Sequence, residues 1–143
     1  METPLRLPAS TVVVFDTNVL LSAFIFKKSP GEVYQYCAER YTLYTSEWLL
    51  NELARVLRRD KFKLPLALQN AILAQVRSDA QLVLPTNDFP ADSRDPDDNH
   101  VLQAALFVQA DFIITGDRDL LDLGQVGGVT ITNPASFYER YIA

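Results

Sequence analysis

At 143 residues the chain has one-domain length and can bury a real core, and its 48% apolar and 22% charged residues are ordinary for a soluble globular protein. Its one cysteine, Cys37, excludes an internal disulfide and fits a reducing cytoplasm, and the longest apolar stretch, 19–26, is too short to span a bilayer. The net charge of −5 conceals an asymmetry: residues 1–72 carry nine Lys/Arg and seven Asp/Glu, residues 73–143 four and eleven, so a basic rim and an acidic site can coexist.

Residues 1–10 hold two prolines and no periodicity, which predicts a loose arm without a secretory signal pattern. Val12-Val13-Val14-Phe15 reads as a buried strand that ends at Asp16, and the apolar spacing after it predicts a helix over about 17–26. Ser29-Pro30-Gly31-Glu32 has the residues of a helix start, with the helix reaching about Arg40. A short strand is expected over 41–45. Ser46 then caps a third helix whose apolar face is Leu49, Leu50, Leu53, Val56 and Leu57, with Glu52 on or beside that face. A basic run follows: Arg55, Arg58, Arg59, Lys61 and Lys63.

Pro65 opens a fourth helix to about Ala80, and residues 81–84 read as a strand. A polar connection leads through Arg94-Asp95-Pro96-Asp97-Asp98 into a helix over about 97–109. There Asp98 continues the stripe of Val101, Leu102 and Ala105. Residues 112–115 form a strand that runs into Gly116-Asp117-Arg118-Asp119. A last strand, 129–132, precedes a closing helix capped by Asn133-Pro134. Strands alternate with helices throughout, so the predicted class is α/β with a largely parallel sheet of four to five strands, as a single domain over 1–143.

Two strands therefore end in acids, Asp16 and Asp117, and two helices carry an acid on their apolar edge, Glu52 and Asp98. If the first and fourth strands are neighbours, Asp16 and Asp117 face one crevice at a topological switch point. Clustered carboxylates are the hard ligands that Mg²⁺ or Mn²⁺ prefers, and Cys37 and His100 are too far apart in sequence to suggest zinc. Ions so held activate water and stabilise a phosphodiester transition state, while the basic run could hold flanking phosphates.

Phe15-Asp16-Thr17-Asn18-Val19-Leu20, Ser46-x₄-Asn51-Glu52-Leu53, Asp95-Pro96-Asp97-Asp98 and Thr115-Gly116-Asp117-Arg118-Asp119-Leu120 resemble the successive motifs of PIN domains, across essentially the whole chain. The third and fourth motifs most resemble the VapC-like branch of bacterial and archaeal PIN proteins, grouped with the toxins of toxin–antitoxin pairs. The resemblance implies a parallel sheet flanked by helices in three layers and a Mg²⁺- or Mn²⁺-dependent ribonuclease. It further implies an RNA substrate, frequent homodimers and often an antitoxin partner. Carried over by position, the metal-site acids are Asp16, Glu52, Asp98 and Asp117, with Asp119 an accessory acid and Asn18 the polar neighbour of the first. Asp95 and Asp97 share the third motif with Asp98. Asp98 is chosen because it alone extends the apolar stripe, whereas Asp95 precedes a proline and suits a turn.

Each acid has a plainer reading. Asp16 can cap a helix, Glu52 can lie on a solvated face, Asp97 and Asp98 suit a first turn, and Asp117 and Asp119 suit the turn after Gly116. The basic run can be a solvated helix end. Cys37 reads as core, His100 as surface, and Trp48 as packing or a subunit contact. Two other functions compete. One is a catalytically silent PIN module that binds RNA or a protein. The other is a Mg²⁺-dependent phosphatase, since Asp16-Thr17-Asn18 resembles the first motif of haloacid-dehalogenase-type enzymes, with Asn18 replacing their second Asp.

Overall fold

The computed structural model describes residues 5–26, 29–84 and 99–143, with the side chain of Asn99 set aside. Among them, β1 (Val12–Phe15) leads to α1 (Thr17–Ile25) and α2 (Ser29–Arg40), then β2 (Thr42–Ser46) and α3 (Glu47–Leu57). After a 3₁₀ turn at Asp60–Phe62 come α4 (Leu66–Asp79), β3 (Ala80–Val83), α5 (Asn99–Phe107) and β4 (Phe112–Ile114). The chain closes with α6 (Arg118–Leu123), β5 (Gln125–Val126), β6 (Val129–Thr132), α7 (Pro134–Phe137) and a π-helical turn at Tyr138–Ile142.

The sheet order is β3-β2-β1-β4-β6-β5. All pairings are parallel except β5 with β6. Each central strand is buried on both faces, so its residues alternate between two cores. Val13, Phe15, Phe112 and Ile114 pack under α1 to α4 and Phe137. Val14, Ile113 and Ile131 pack on the other face under α5 and Leu120 of α6. This is the expected three-layer α/β/α arrangement, because a strand buried on both faces needs helices on both sides.

Six strands replace the expected four to five. The additional one, β5, is two residues long and folds onto β6 through Gly127 and Gly128, whose φ angles of 56° and 86° suit a tight two-residue hairpin. α6 was also not predicted. At six residues it is too short for a helical period to show, and Asp117 makes it by capping it. Elsewhere the described boundaries differ by one or two residues, except that the closing helix, expected to reach Tyr141, ends at Phe137 and passes into the π-helical turn; the expected start of α5 at 97 lies outside the described residues. Ser46 caps α3 as expected, its hydroxyl accepting from the Leu49 amide at 3.2 Å. Cys37 is fully buried, and burial pushes its thiol up to about 12. No helix among the described residues is long and apolar enough to cross a membrane.

Candidate active site

β1 and β4 are hydrogen-bonded neighbours, with Phe15 opposite Ile114. The next residue of each strand is therefore level with the other, and these are Asp16 and Thr115. The connections leave β1 and β4 toward opposite sides of the sheet, β1 to β2 and β4 to β6, so their carboxyl ends form a topological switch point, the place where an open α/β sheet has its ligand crevice.

Asp16 is 9% exposed and fully engaged. Its Oδ1 accepts from the Thr17 amide at 2.8 Å, and its Oδ2 accepts from the Thr115 hydroxyl at 2.7 Å. Thr115 is fully buried and works in both directions, since its hydroxyl oxygen also accepts from the Asp117 amide at 3.0 Å. One hydroxyl thus ties the carboxylate of the first acid to the backbone of the second. The Oδ1 of Asp117 accepts from the amides of Asp119 and Leu120, at 2.8 and 3.3 Å, which starts α6.

Burial holds the Asp16 carboxyl above the usual carboxylate range. The bonds from Thr115 and Thr17 pull it back, while the negative charges of Asp117 and Glu52 push it up again. Those last contributions place Asp117 and Glu52 within electrostatic reach of Asp16. Glu52 is half-buried on α3 and turned toward Arg55, whose Nη2 donates to Glu52 Oε2 at 2.6 Å. Arg58, Arg59, Lys61 and Lys63 are exposed on the segment beyond. Asn18 is exposed in the first turn of α1, and Asp119 is half-buried in the first turn of α6. Asp95, Asp97 and Asp98 lie outside the described residues.

The structure thus brings Asp16, Thr115 and Asp117 together and sets Glu52 within range. Among the described residues, no three His, Cys, Asp or Glu side chains are grouped to hold a metal ion. The donor set nonetheless suits a hard dication chemically. It is all carboxylate, its central member carries a destabilised negative charge, and the neighbouring Thr17 hydroxyl is buried with no hydrogen-bond partner. Thr115 is the residue sequence reasoning missed as a participant. The available signal was a hydroxyl at the strand end level with an acid across the pair.

The plainer reading of Asp16 and Asp117 holds, since each caps a helix, and the two caps stand at the carboxyl ends of the paired strands β1 and β4. A separate cavity of about 600 Å³ lies away from these acids, lined by Phe24, Tyr34 and Asp79 among others, and it holds no part of this constellation.

The family model described as PIN domain matches residues 12–119, which takes in β1, Asp16, Glu52 and Asp117. The chain belongs to the PIN domain family. Members of that family are generally nucleases and generally use divalent metals. No curated protein matches the chain significantly. Among solved structures, the fold is similar to a chain in the crystal structure of VapBC2 from Rickettsia felis bound to a DNA fragment from their promoter. The two are 13% identical, the match covers 86% of this chain and 98% of that one, and the TM-score is 0.62. At that identity the likeness speaks for the PIN fold alone.

Proposed function

We propose that this PIN domain is a divalent-metal-dependent ribonuclease that hydrolyses RNA phosphodiester bonds. The observation that carries the proposal is the Asp16–Thr115–Asp117 linkage at the β1/β4 switch point, with Glu52 close enough to raise the Asp16 carboxyl. A buried carboxylate with like charges around it is destabilised unless a cation joins it, which is what a catalytic metal site supplies.

Asp16, Glu52, Asp98 and Asp117 would hold Mg²⁺ or Mn²⁺, with Asp119 accessory to them. Bound there, the ion would polarise the scissile phosphate and acidify an attacking water. The chain's own part is positioning. Thr115 and the Thr17 amide fix the Asp16 carboxylate, so it needs no reorganisation when charge develops. The cap at α6 orients Asp117 by its Oδ1. Asp119, placed with the metal-site acids as an accessory one, would orient the attacking water. Asn18 borders the site, and Asp95 and Asp97 support the third motif. Arg55, Arg58, Arg59, Lys61 and Lys63 neutralise phosphates of the RNA, which gives binding a strong salt dependence.

The same reading places the protein in the cytoplasm as one domain, acting as a homodimer and as the toxin of a toxin–antitoxin pair with a cognate antitoxin as partner. The VapC-like form of Asp95-Pro96-Asp97-Asp98 and Thr115-Gly116-Asp117-Arg118-Asp119-Leu120 supports that role, and the chain whose fold it shares comes from a VapBC2 complex. A second reading, a catalytically silent PIN module that binds RNA or a protein, is favoured by one observation: Arg55 already neutralises Glu52.

RNA cleavage with Mn²⁺, with and without chelator, decides between them. The expected result is chelator-sensitive cleavage by the wild-type chain and none by Asp16→Asn. Equal cleavage by clean Asp16→Asn protein, or no cleavage and no Mn²⁺ binding by the wild type, would overturn the nuclease reading.

A further inference from the structure

Trp48 and His100 stack face to face, with ring centroids 3.8 Å apart and planes 8° from parallel. This is a tighter and flatter pairing than the offset or edge-on arrangements aromatic side chains usually adopt. Both rings are half-buried, and both line a cavity of about 190 Å³ together with Ser46, Val83, Leu84, Gln103 and Glu47, whose carboxylate is paired with Arg77 at 2.9 Å.

The cavity's position relates it to the acids. β1 and β2 are parallel with Val14 opposite Tyr44, so two residues further on Ser46 is level with Asp16. Adjacent strands lie about 5 Å apart, so this wall of the cavity is one strand away from Asp16. Trp48 and Glu52 are four residues apart on α3 and share one face of it, one turn from each other. The stacked pair therefore flanks the acidic crevice.

From this the geometry points to a nucleobase subsite: Trp48 and His100 form a stacking platform for one unpaired base of a single-stranded RNA next to the scissile phosphate. A third flat ring entering the cavity extends an aromatic stack that already exists. Base–aromatic stacking needs no particular base, because every base has a π-face. Gln103, one turn beyond Trp48's partner on α5, offers an amide that both donates and accepts at a base edge. The subsite rests on the ribonuclease reading for its substrate class, and it asks for a single strand, since a base inside a duplex cannot reach a side-chain platform.

Trp48 is the chain's one tryptophan, so its emission reports on this place alone. The test titrates the full chain with a short single-stranded oligoribonucleotide in chelator, which withholds the metal that the ribonuclease reading requires for cleavage. Tryptophan emission and the anisotropy of labelled RNA are followed in parallel. The expected result is quenching that tracks binding, weaker quenching with an abasic oligonucleotide of equal length, and roughly tenfold weaker binding by Trp48→Leu that Trp48→Phe largely restores. Binding with unchanged emission, binding by folded Trp48→Leu equal to wild type, or no binding would each overturn the subsite. Should Trp48→Leu fail to fold, the wild-type emission still decides. Quenching in chelator without metal-dependent cleavage would sink the nuclease reading and keep the subsite, and cleavage without quenching would do the reverse.

Discussion

Thr115 donates to Asp16 at 2.7 Å, and Tyr34 donates to Asp79 at 2.6 Å. The two hydroxyl–carboxylate bonds are nearly equal in length, yet their surroundings differ. At the first, the carboxylate is the buried partner and two further acids raise its protonation range. At the second, the phenol is the buried partner, pushed upward by burial and by Asp79, while Asp79 is half-exposed and also accepts from Gln75 at 3.0 Å. The Tyr34–Asp79 pair leaves its charge wetted and shared, which ties α2 to the end of α4. The Thr115–Asp16 pair keeps a charge dry among like charges. A fold tolerates that frustration where a ligand is to relieve it.

Removing the frustrated charge is the sharpest way to break the comparison. Asp16→Asn should lower metal-dependent cleavage by about 100-fold or more, and in chelator it should raise stability at neutral pH by about 1 kcal/mol. The sign follows from linkage. Burial holds the folded-state range of Asp16 above that of an ordinary Asp carboxyl, so the folded chain binds the proton more tightly than the unfolded one. This group's stabilising effect is therefore present at low pH and is lost as pH rises from about 4 through the folded-state value. The stability gap between Asp16→Asn and wild type should widen over that window in urea melts, and Mn²⁺ should narrow it by stabilising the wild type alone. A gap independent of pH would show that Asp16 carries no buried charge.

The next test keeps the charge and removes its hydroxyl partner. Thr115→Val preserves shape but leaves Asp16 Oδ2 and the Asp117 amide without their common partner. Cleavage should drop about tenfold, with Thr115→Ser close to wild type, because a buried bond to a charged group is worth about 1.5–3 kcal/mol. Equal rates for Thr115→Val and wild type would remove Thr115 from the positioning of the site.

How far the sequence disclosed this arrangement depends on the range of the signal. β1 and β4 were legible because continuous apolar runs ended abruptly in acids, and Ser46 was legible as a cap because capping is local. The Gly127-Gly128 pair is an equally local hairpin signal, and β5 follows from it. The bond from Thr115 to Asp16 joins residues 99 positions apart, and the Trp48–His100 stack joins α3 to α5. Nothing in the residues themselves announces such pairings, because they depend on strand order, and only the conditional neighbouring of β1 and β4 hinted at the first. The Glu52–Arg55 pair is different again. Its three-residue spacing on a predicted helix is enough to imply an ion pair, which sets Arg55 apart from the rest of the basic run.

The quiet pair supplies the control. Tyr34→Phe removes the hydroxyl donor to Asp79 and should lower stability by about 1–2 kcal/mol, the lower end for a bond to a charged group because Asp79 keeps Gln75 and water. Metal-dependent cleavage should not change. A loss of cleavage without a loss of stability would tie the 600 Å³ cavity beside Tyr34 to the reaction and blur the contrast between the pairs.

The smallest expected effect concerns Arg55. Its guanidinium holds both carboxylate oxygens of Glu52, at 2.6 Å and 2.5 Å from Nη2. An Arg side chain 58% exposed and three residues from its acid makes a weak pair, worth well under about 1 kcal/mol once water screens it. Such a pair can be displaced by a dication at little cost. Arg55→Ala should accordingly tighten Mn²⁺ binding only a few-fold, measured by titration without RNA. The same variant should bind RNA more weakly and with a shallower salt dependence if the freed guanidinium serves phosphate. Tighter metal with unchanged RNA binding would make Arg55 a counter-ion for Glu52 alone. Unchanged metal binding would mean that Glu52 does not face the ion, and the crevice would then rest on Asp16 and Asp117 with whatever the third motif contributes.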